Sequence, residues 1–323
     1  MSTVGAVVIG RNEGIRLQRC LKSLVPQVAH LVYVDSGSQD DSVAFARSLG
    51  ATVVELGTET PFTAARARNA GFEALMGLAE LDFVQFIDGD CTVEPDWIMQ
   101  GMAAITADPS LGLVTGWRRE IHPDNSIYNA LCDVEWHRPA GEIKACGGDM
   151  LLRAMAFDDA KGFDPTVIAA EDDEFCQRLA AANWKLLRIP KQMTIHDANM
   201  LHFSEWWKRA ERSGHGFAQV ADLHIGYFSA ERKRVLVFGG ILPLMALIGL
   251  LFSTALLFGV ITAYGLSYGR TILGLKKQGV EERPLLYQLS GLLSLSKLPN
   301  MIGMIRYYWR KHMGRDMRLI EYK

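Results

Sequence analysis

Short apolar runs alternate with helical patterns along the first 90 residues of the chain. Four β-branched, apolar runs have the length and composition of buried strands, and they cover Val4–Ile9, His30–Val34, Ala51–Leu56 and Phe83–Ile87. Three stretches with apolar residues at helical spacing separate them, and they cover Ile15–Leu24, Asp41–Leu49 and Thr63–Ala79. This alternation predicts an α/β fold with a mainly parallel sheet, which binds ligands beyond the carboxyl ends of its strands.

The pattern between residues 91 and 230 is less regular. Helical spacing appears at Pro95–Ala104 and Glu171–Ala182, and strand-like runs appear at Gly112–Trp117 and Lys185–Ile189. The sequence shows no internal repeat.

The last third of the chain is strongly apolar. Val235–Gly269 contains 35 residues without a charge, which is more than the roughly 20 apolar residues of one membrane span. Basic residues flank this stretch on both sides, and such residues favour the cytoplasmic side of a membrane. We therefore expect a helical hairpin or re-entrant pair that bends near Gly249–Ser253. The alternative is an apolar helical subdomain of a soluble protein.

A second apolar stretch, Leu285–Ile305, is interrupted by Lys297 and Pro299. That interruption fits a helix lying at a membrane interface better than a span.

The charge of the chain changes near Ala230. The total is only −2, but residues 1–230 hold 20 Lys and Arg against 31 Asp and Glu, a net of −11. Residues 231–323 hold 14 Lys and Arg against 5 Asp and Glu, a net of +9. We expect an acidic catalytic domain over 1–230 and a basic, apolar tail over 231–323 at a membrane, with no nucleic acid partner.

The five cysteines are scattered and form no CxxC pair, so neither a zinc site nor a disulfide framework is indicated. The first residues lack a basic segment followed by an apolar one, so we expect no secretory signal there. Both observations predict the cytoplasmic face of the inner cell membrane as the location.

Asp88-Gly89-Asp90 follows directly after an apolar strand. Two carboxylates at i and i+2 with a glycine between them can approach one hard cation such as Mn²⁺ or Mg²⁺. His196 lies just past another strand and is a candidate nitrogen ligand for the same ion. The alternatives are an exposed polar turn and a structural histidine.

Four consecutive acids, Glu171 to Glu174, precede a helix. Acids at a helix start complement its dipole, which explains one or two of them. A carboxylate held among other carboxylates gains proton affinity, which suits a general base.

The segment His202–Gln219 is both basic and aromatic. Trp206 and Trp207 with Arg209 and Arg212 can lie at a membrane interface, or the two arginines can face a diphosphate. An ordinary helix with an apolar stripe is the alternative.

Six segments in this order resemble the inverting family 2 glycosyltransferases of GT-A fold. The quoted residues are Val7–Glu13, Asp35-Ser36-Gly37-Ser38-Gln39-Asp40, Arg68-Asn69-Ala70-Gly71, Asp88-Gly89-Asp90, Gly147-Gly148-Asp149-Met150 and Glu171-Asp172. The resemblance covers roughly residues 4–220 and implies a Rossmann-like mixed sheet with flanking helices. A catalytic domain ahead of a short membrane tail resembles the glycosyltransferases of exopolysaccharide assembly.

The resemblance implies hexosyl transfer from a nucleotide sugar, with a UDP-sugar favoured, to a lipid-linked or saccharide hydroxyl. The implied roles are donor binding for Arg11, Glu13, Asp35, Arg68, Asp88 and Gly89; metal binding for Asp88, Asp90 and His196; acceptor contact for Gly148 and Asp149; and catalysis for Asp172 as base with Glu171 beside it.

Two other functions remain open at the level of the sequence. One is a nucleotidyltransferase on a similar sheet, which the absence of a Gly-rich, Lys-bearing phosphate loop disfavours. The other is a catalytically silent, membrane-anchored scaffold that binds nucleotide sugars, which the presence of Asp90 and Asp172 disfavours.

Overall fold

The computed structural model describes residues 3–315 and residue 317. Contacts within the chain divide it into two compact units. The first contains the residues up to His122 together with Glu135–Asn199, and the second contains Pro123–Val134 and the residues from Met200 onward. The last boundary between the units lies at Met200, ahead of the change of charge near Ala230, because the helix at 203–223 is part of the second unit.

The strands are β1 (Val4–Gly10), β2 (His30–Asp35), β3 (Thr52–Glu55), β4 (Phe83–Asp88), β5 (Cys91–Val93), β6 (Leu111–Glu120), β7 (Gly141–Glu142), β8 (Met150–Arg153) and β9 (Lys185–His196). The helices are α1 (Ile15–Leu24), α2 (Ser42–Ser48), α3 (Ala64–Leu78), α4 (Trp97–Ala107), α5 (Ile127–Trp136), α6 (Ala154–Asp159), α7 (Glu171–Ala181), α8 (Phe203–Leu223), α9 (Ser229–Val235), α10 (Leu242–Phe252), α11 (Thr254–Lys277), α12 (Arg283–Leu295) and α13 (Lys297–His312).

All nine strands form one mixed sheet in the order β3-β2-β1-β4-β8-β6-β9-β5, and β7 pairs with the far side of β9. β1 runs parallel to β2 and β4, as the alternating pattern predicts, and β8 enters antiparallel between β4 and β6. The carboxyl ends of β1, β2 and β4 therefore meet at one edge of the sheet.

The two faces of the sheet carry separate apolar cores. Val7 and Ile9 of β1 face a core that includes residues of α3, α6 and α7, and their neighbours Ala6 and Val8 face one that includes residues of α1 and α4. Successive residues of β1 therefore pack into the cores on opposite faces of the sheet, as expected for a buried central strand.

β9 continues seven residues past the predicted end at Ile189 and passes through Pro190. Its pairing with β6 shifts register between Thr115 and Trp117, opposite the stretch from Arg188 to Gln192. A proline, which cannot donate to a ladder, is tolerated at such an irregularity.

The second unit is helical in its described residues. α8 and α13 cross at glycines: a methyl group on Gly214 would overlap the backbone of Asn300, and one on Gly303 would overlap the backbone of Glu211. Small residues at these two points allow the backbones to touch.

α9, a π-helical turn over Leu236–Ile241 and α10 make one continuous helix, and α11 follows it. The bend lies at Ser253, which caps α11 by accepting a hydrogen bond from the Leu256 amide, so the predicted position near Gly249–Ser253 is correct. Ser229–Phe252 and Thr254–Lys277 are each 24 residues and apolar enough to cross a membrane.

Very little of these two helices is buried. Only 11% of the most apolar stretch of the first helix and 6% of that of the second is covered by other residues. Large apolar side chains such as Leu251, Phe252 and Leu266 are more than two-thirds exposed. A helix in the core of a soluble subdomain would show the opposite pattern.

Candidate active site

The loop after β2 folds around Asp35. This carboxylate is 3% exposed and accepts hydrogen bonds from the amides of Gly37 and Ser38 at 2.9 and 2.8 Å and from the Tyr33 hydroxyl at 2.8 Å. Gly37 has a φ of +84°, the left-handed region that glycine tolerates best. Asp35, which is predicted to recognise the donor base, thus also holds the conformation of the loop that follows β2.

The turns after β1 and β2 are joined to each other. The Asn12 amide donates to Ser38 Oγ at 2.9 Å, and Asn12 Oδ1 accepts from the Gln39 amide at 2.7 Å. The neighbouring predicted donor residues lie beside this junction: the Arg11 guanidinium is 5.8 Å from the Phe62 ring centroid, and Glu13 pairs with Arg16 at 2.8 Å.

Asp88 and Asp90 have different partners. Gly89 separates them, and its amide donates to the Ile9 carbonyl at 2.8 Å, which extends the β1–β4 pairing by one residue. Asp88 accepts from Arg68 at 2.7 Å and lies 3.4 Å from Arg118 Nη2. Burial raises the pKa of the Asp88 carboxyl, but the two arginines outweigh it and hold that pKa below its usual range.

Arg68 joins the turn after β4 to the start of α7. Its side chain is 3% exposed and donates to Asp88 Oδ1 at 2.7 Å and to Glu171 Oε1 at 2.9 Å. Burial lowers the pKa of the guanidinium, but the nearby carboxylates outweigh it and raise that pKa. Glu171 is therefore a buried partner of Arg68.

Gly148 and Asp149, predicted on the acceptor side, lie close behind these groups. A methyl group on Gly148 would overlap Arg68 and lie 2.9 Å from Asp88 Oδ1. Asp149 is 1% exposed and accepts from Arg118 at 2.7 Å and from Thr194 Oγ1 at 2.8 Å. This burial leaves Asp149 as an anchor for its neighbours, without the surface that direct acceptor contact requires.

Asp172 stands at the first turn of α7, next to the glycine-rich segment. A Cβ on Gly147 would be 4.0 Å from Asp172 Oδ2. Burial and the charges of Asp173 and Glu171 raise the pKa of the Asp172 carboxyl well above its usual range. The helix starts after Ala170, which has a φ of +57°. A left-handed alanine is strained, and such strain clusters at functional sites.

Asp90 and His196 are candidate ligands for a cation. His196 Nε2 lies 3.3 Å from Asp90 Oδ1, and two adjacent ligands of one octahedral ion with bonds of about 2.1 Å are separated by about 3 Å. On its other side, His196 Nδ1 lies 3.6 Å from Glu120 Oε2, which can orient the ring. The residues present therefore fit a divalent cation.

Cys91 lies near the same two ligands but suits the ion less well. Its Sγ is 3.8 Å from Asp90 Oδ1, and burial raises the pKa of its thiol. A neutral thiol is a poor ligand for a hard cation.

The basic and aromatic segment belongs to the second unit. Trp206 is 2% exposed and packs against Phe203 and Tyr128, with ring centroids at 5.3 and 6.3 Å. It is a core residue of that unit, so the predicted place at a membrane interface does not match its burial. Trp207, Arg209 and Arg212 are half-buried on the same helix.

Arg118 and Glu120 are site residues that the sequence analysis did not single out. Both lie in the last three residues of β6, just past the predicted run Gly112–Trp117, and they pair with Asp149 and His196. Charged side chains at the end of a buried strand are the signal that could have identified them.

Residues 6–148 match the family model described as Glycosyl transferase family 2. The chain is 24% identical to the glycosyltransferase AglE of Haloferax volcanii over 230 aligned residues, and the alignment covers 67% of this chain and 73% of AglE. It is 25% identical over 238 residues to the pre-mycofactocin glycosyltransferase of Mycobacterium tuberculosis, which covers 68% of this chain and 48% of that protein.

Solved structures share the fold. The mannosyltransferase PcManGT from Pyrobaculum calidifontis, solved with GDP-Man and Mn²⁺, superposes with a TM-score of 0.59 at 17% identity, covering 95% of this chain and 87% of that one. Residues 1–349 of Staphylococcus aureus TarS superpose with a TM-score of 0.51 at 15% identity, covering 98% and 93%. The predicted GT-A fold is thereby confirmed.

Proposed function

We propose that the chain, whose residues 6–148 match the Glycosyl transferase family 2 model, is a glycosyltransferase that transfers a sugar from a nucleoside-diphosphate sugar to an acceptor hydroxyl with inversion. The observation that carries the proposal is the Asp88–Arg68–Glu171 bridge. It ties the turn that ends β4 to the helix that presents Asp172, so both stand at one edge of the sheet.

Asp172 is the general base. Its carboxylate takes the proton of the acceptor hydroxyl, and the hydroxyl oxygen forms a bond to the anomeric carbon. The bond between that carbon and the diphosphate oxygen breaks on the opposite face, so the configuration inverts. A well-placed base of this kind contributes about 10²–10⁴-fold to the rate.

Asp90 and His196 would hold the divalent cation, with Glu120 orienting the imidazole. When bound, Mn²⁺ or Mg²⁺ neutralises charge on the diphosphate leaving group. Arg68 and Arg118 keep Asp88 ionised beside it, and the Mn²⁺ bound by PcManGT supports this choice of cofactor.

The donor would lie against the loops that follow β1 and β2, where Arg11, Glu13 and Asp35 are found. A UDP-sugar is our proposed donor, although PcManGT was solved with GDP-Man. The acceptor is a lipid-linked or saccharide hydroxyl.

We place the enzyme at the cytoplasmic face of the cell membrane. The exposed apolar helices α10 and α11 would enter the bilayer as a hairpin. Arg232-Lys233-Arg234 before the hairpin and Lys276-Lys277 after it favour the cytoplasmic side for both ends.

The test is Asp172→Asn, with Asp158→Asn as the control, because Asp158 is an exposed carboxylate of the same unit. We expect transfer to fall by about 10²–10⁴-fold in Asp172→Asn while donor binding in Mn²⁺ persists, and Asp158→Asn to match the wild type. Normal turnover by Asp172→Asn contradicts the assignment of the base. A wild type that binds nucleotide sugars and never turns them over is the silent scaffold instead.

A further inference from the structure

Arg188 is a buried cation that has no carboxylate partner among the residues that the structure describes. The residue is 8% exposed, and within residues 3–315 its side chain makes a single, long hydrogen bond, from Nη1 to the Pro139 carbonyl at 3.4 Å. Its buried Nε atom has no hydrogen-bond partner. By contrast, Arg68 and Arg118 of the same unit each donate to a carboxylate at 2.7 Å.

The charged and titratable groups around Arg188 do not compensate it. Burial lowers the pKa of its guanidinium below the usual range, an effect that Cys146 and Cys176 oppose without outweighing it and that the nearby Arg138 reinforces. These two thiols are buried and lie 3.8 Å from each other. An uncompensated buried charge is costly, so its retention needs a partner that arrives from outside.

The strand next to Arg188 leaves space beside it. Gly141 of β7 pairs directly with Arg188 of β9, and paired residues of neighbouring strands point to the same face. Gly141 has no side chain, and nothing lies within 4 Å of the position that its Cβ would take. The position on β7 that pairs with Arg188 is therefore open.

The two thiols that act on Arg188 lie on segments that also carry residues of the proposed base region. Cys176 lies on α7 four residues after Asp172, which is about one helical turn of 5.4 Å. Cys146 directly precedes Gly147, the residue beside Asp172 Oδ2. The two thiols that surround Arg188 thus belong to the elements that also place the base.

We propose that Arg188 binds an oxyanion, phosphate or carboxylate, of the acceptor, and so orients the acceptor hydroxyl toward Asp172. A planar guanidinium holds such groups with two parallel hydrogen bonds. The exposed side chains of Arg138 and Lys144 on the same segment attract the anion. This inference rests on the proposed sugar transfer for the role of the bound group.

Binding is tested without turnover. Inorganic phosphate is titrated into the full chain in detergent, with UDP and Mn²⁺ present to fill the donor site, and the melting temperature is followed. We compare the wild type with Arg188→Met, and with Arg47→Met as the control, because Arg47 is an exposed arginine of the same unit.

Phosphate should raise the melting temperature of the wild type and of Arg47→Met in parallel. Arg188→Met should bind phosphate at least about tenfold more weakly. Without phosphate, Arg188→Met should melt no lower than the wild type, since an apolar side chain replaces an unpaired buried charge. Equal phosphate stabilisation of wild type and Arg188→Met, or none in either, overturns the proposal.

Arg188→Lys is the second variant if Arg188→Met does not fold. It keeps the charge and loses the planar pair of donors, so phosphate should bind more weakly than to the wild type; unchanged binding overturns the proposal. Loss of transfer in the Asp172→Asn experiment is a separate readout. Phosphate binding at Arg188 with no sugar transfer by the wild type would reject the proposed function and keep the anion site.

Discussion

Replacing Arg68 by Gln leaves two carboxylates without their shared cation. The Arg68 side chain is 3% exposed, and its partners Asp88 and Glu171 are 28% and 9% exposed. Removing one member of a buried ion pair costs about 3–5 kcal/mol, because the remaining charge stays buried. For a unit of roughly 150–250 residues, about 2–4 °C per kcal/mol converts this to a fall in melting temperature of roughly 6–20 °C.

The matched control is Arg47→Gln. Arg47 pairs with Glu55, and these side chains are 58% and 56% exposed. Exposed pairs contribute about 0–1 kcal/mol, so this variant should melt within about 4 °C of the wild type. The assay is thermal unfolding of the purified chain in detergent, followed by intrinsic fluorescence.

A third variant distinguishes the loss of the ion pair from a loss of packing around Arg68. Adding Glu171→Gln to Arg68→Gln removes one of the stranded carboxylates, so the double variant should regain part of the lost stability, by at least about 0.5 kcal/mol. The reasoning is refuted if Arg68→Gln melts no lower than Arg47→Gln, since Arg68 would then not hold the two segments together.

Three further predictions address the site and the tail. Gly148→Ala should destabilise the folded chain by about 1–3 kcal/mol and reduce activity, because the added methyl group overlaps Arg68. The control Gly77→Ala, which has open space in α3, should stabilise the chain by about 0.5–1 kcal/mol, and chemical denaturation measures both variants. Asp173→Asn should lower the pKa of Asp172, because the Asp173 charge raises it. The base then stays ionised at lower pH, so the acidic limb of the kcat/KM profile should move to lower pH. An unmoved limb counts against Asp172 as the base. Leu266→Lys should weaken flotation of the protein with lipid vesicles, because a lysine at the centre of a membrane span costs about 2.5–3.5 kcal/mol. Ile15→Lys, at a similarly exposed site of the first unit, should float as the wild type does. Equal flotation of the two variants argues against the hairpin.

The sequence predicted the elements that its local pattern determines. α1 has the predicted bounds, and the first four strands lie within two residues of theirs. The bend at Ser253 was also expected. These features depend on short apolar runs, caps and turn residues, which act within a few positions.

Elements that depend on distant partners were missed. β5 has three residues, and it exists because Cys91–Val93 pairs with the end of β9 about a hundred residues later. β9 was predicted to end before Pro190, although a shift in pairing with β6 accommodates that proline. Neither partner is visible from the local pattern.

Burial was the second source of difference. The family resemblance implied an acceptor contact for Asp149, and the aromatic pattern suggested a membrane interface for Trp206, but the fold encloses both side chains. Arg68 was expected near the donor, and its two carboxylate partners come from segments 20 and 103 residues away. Only the folded chain shows that these charges neutralise one another.

The most direct test of the central claim is the release of nucleoside diphosphate from a panel of UDP- and GDP-sugars, each with Mn²⁺ and a lipid-linked or oligosaccharide acceptor. The account predicts that the wild type releases the diphosphate and glycosylates the acceptor with at least one donor, and that EDTA or Asp172→Asn abolishes both. Product formed at the wild-type rate by Asp172→Asn, or no transfer by the wild type from any donor, would contradict it.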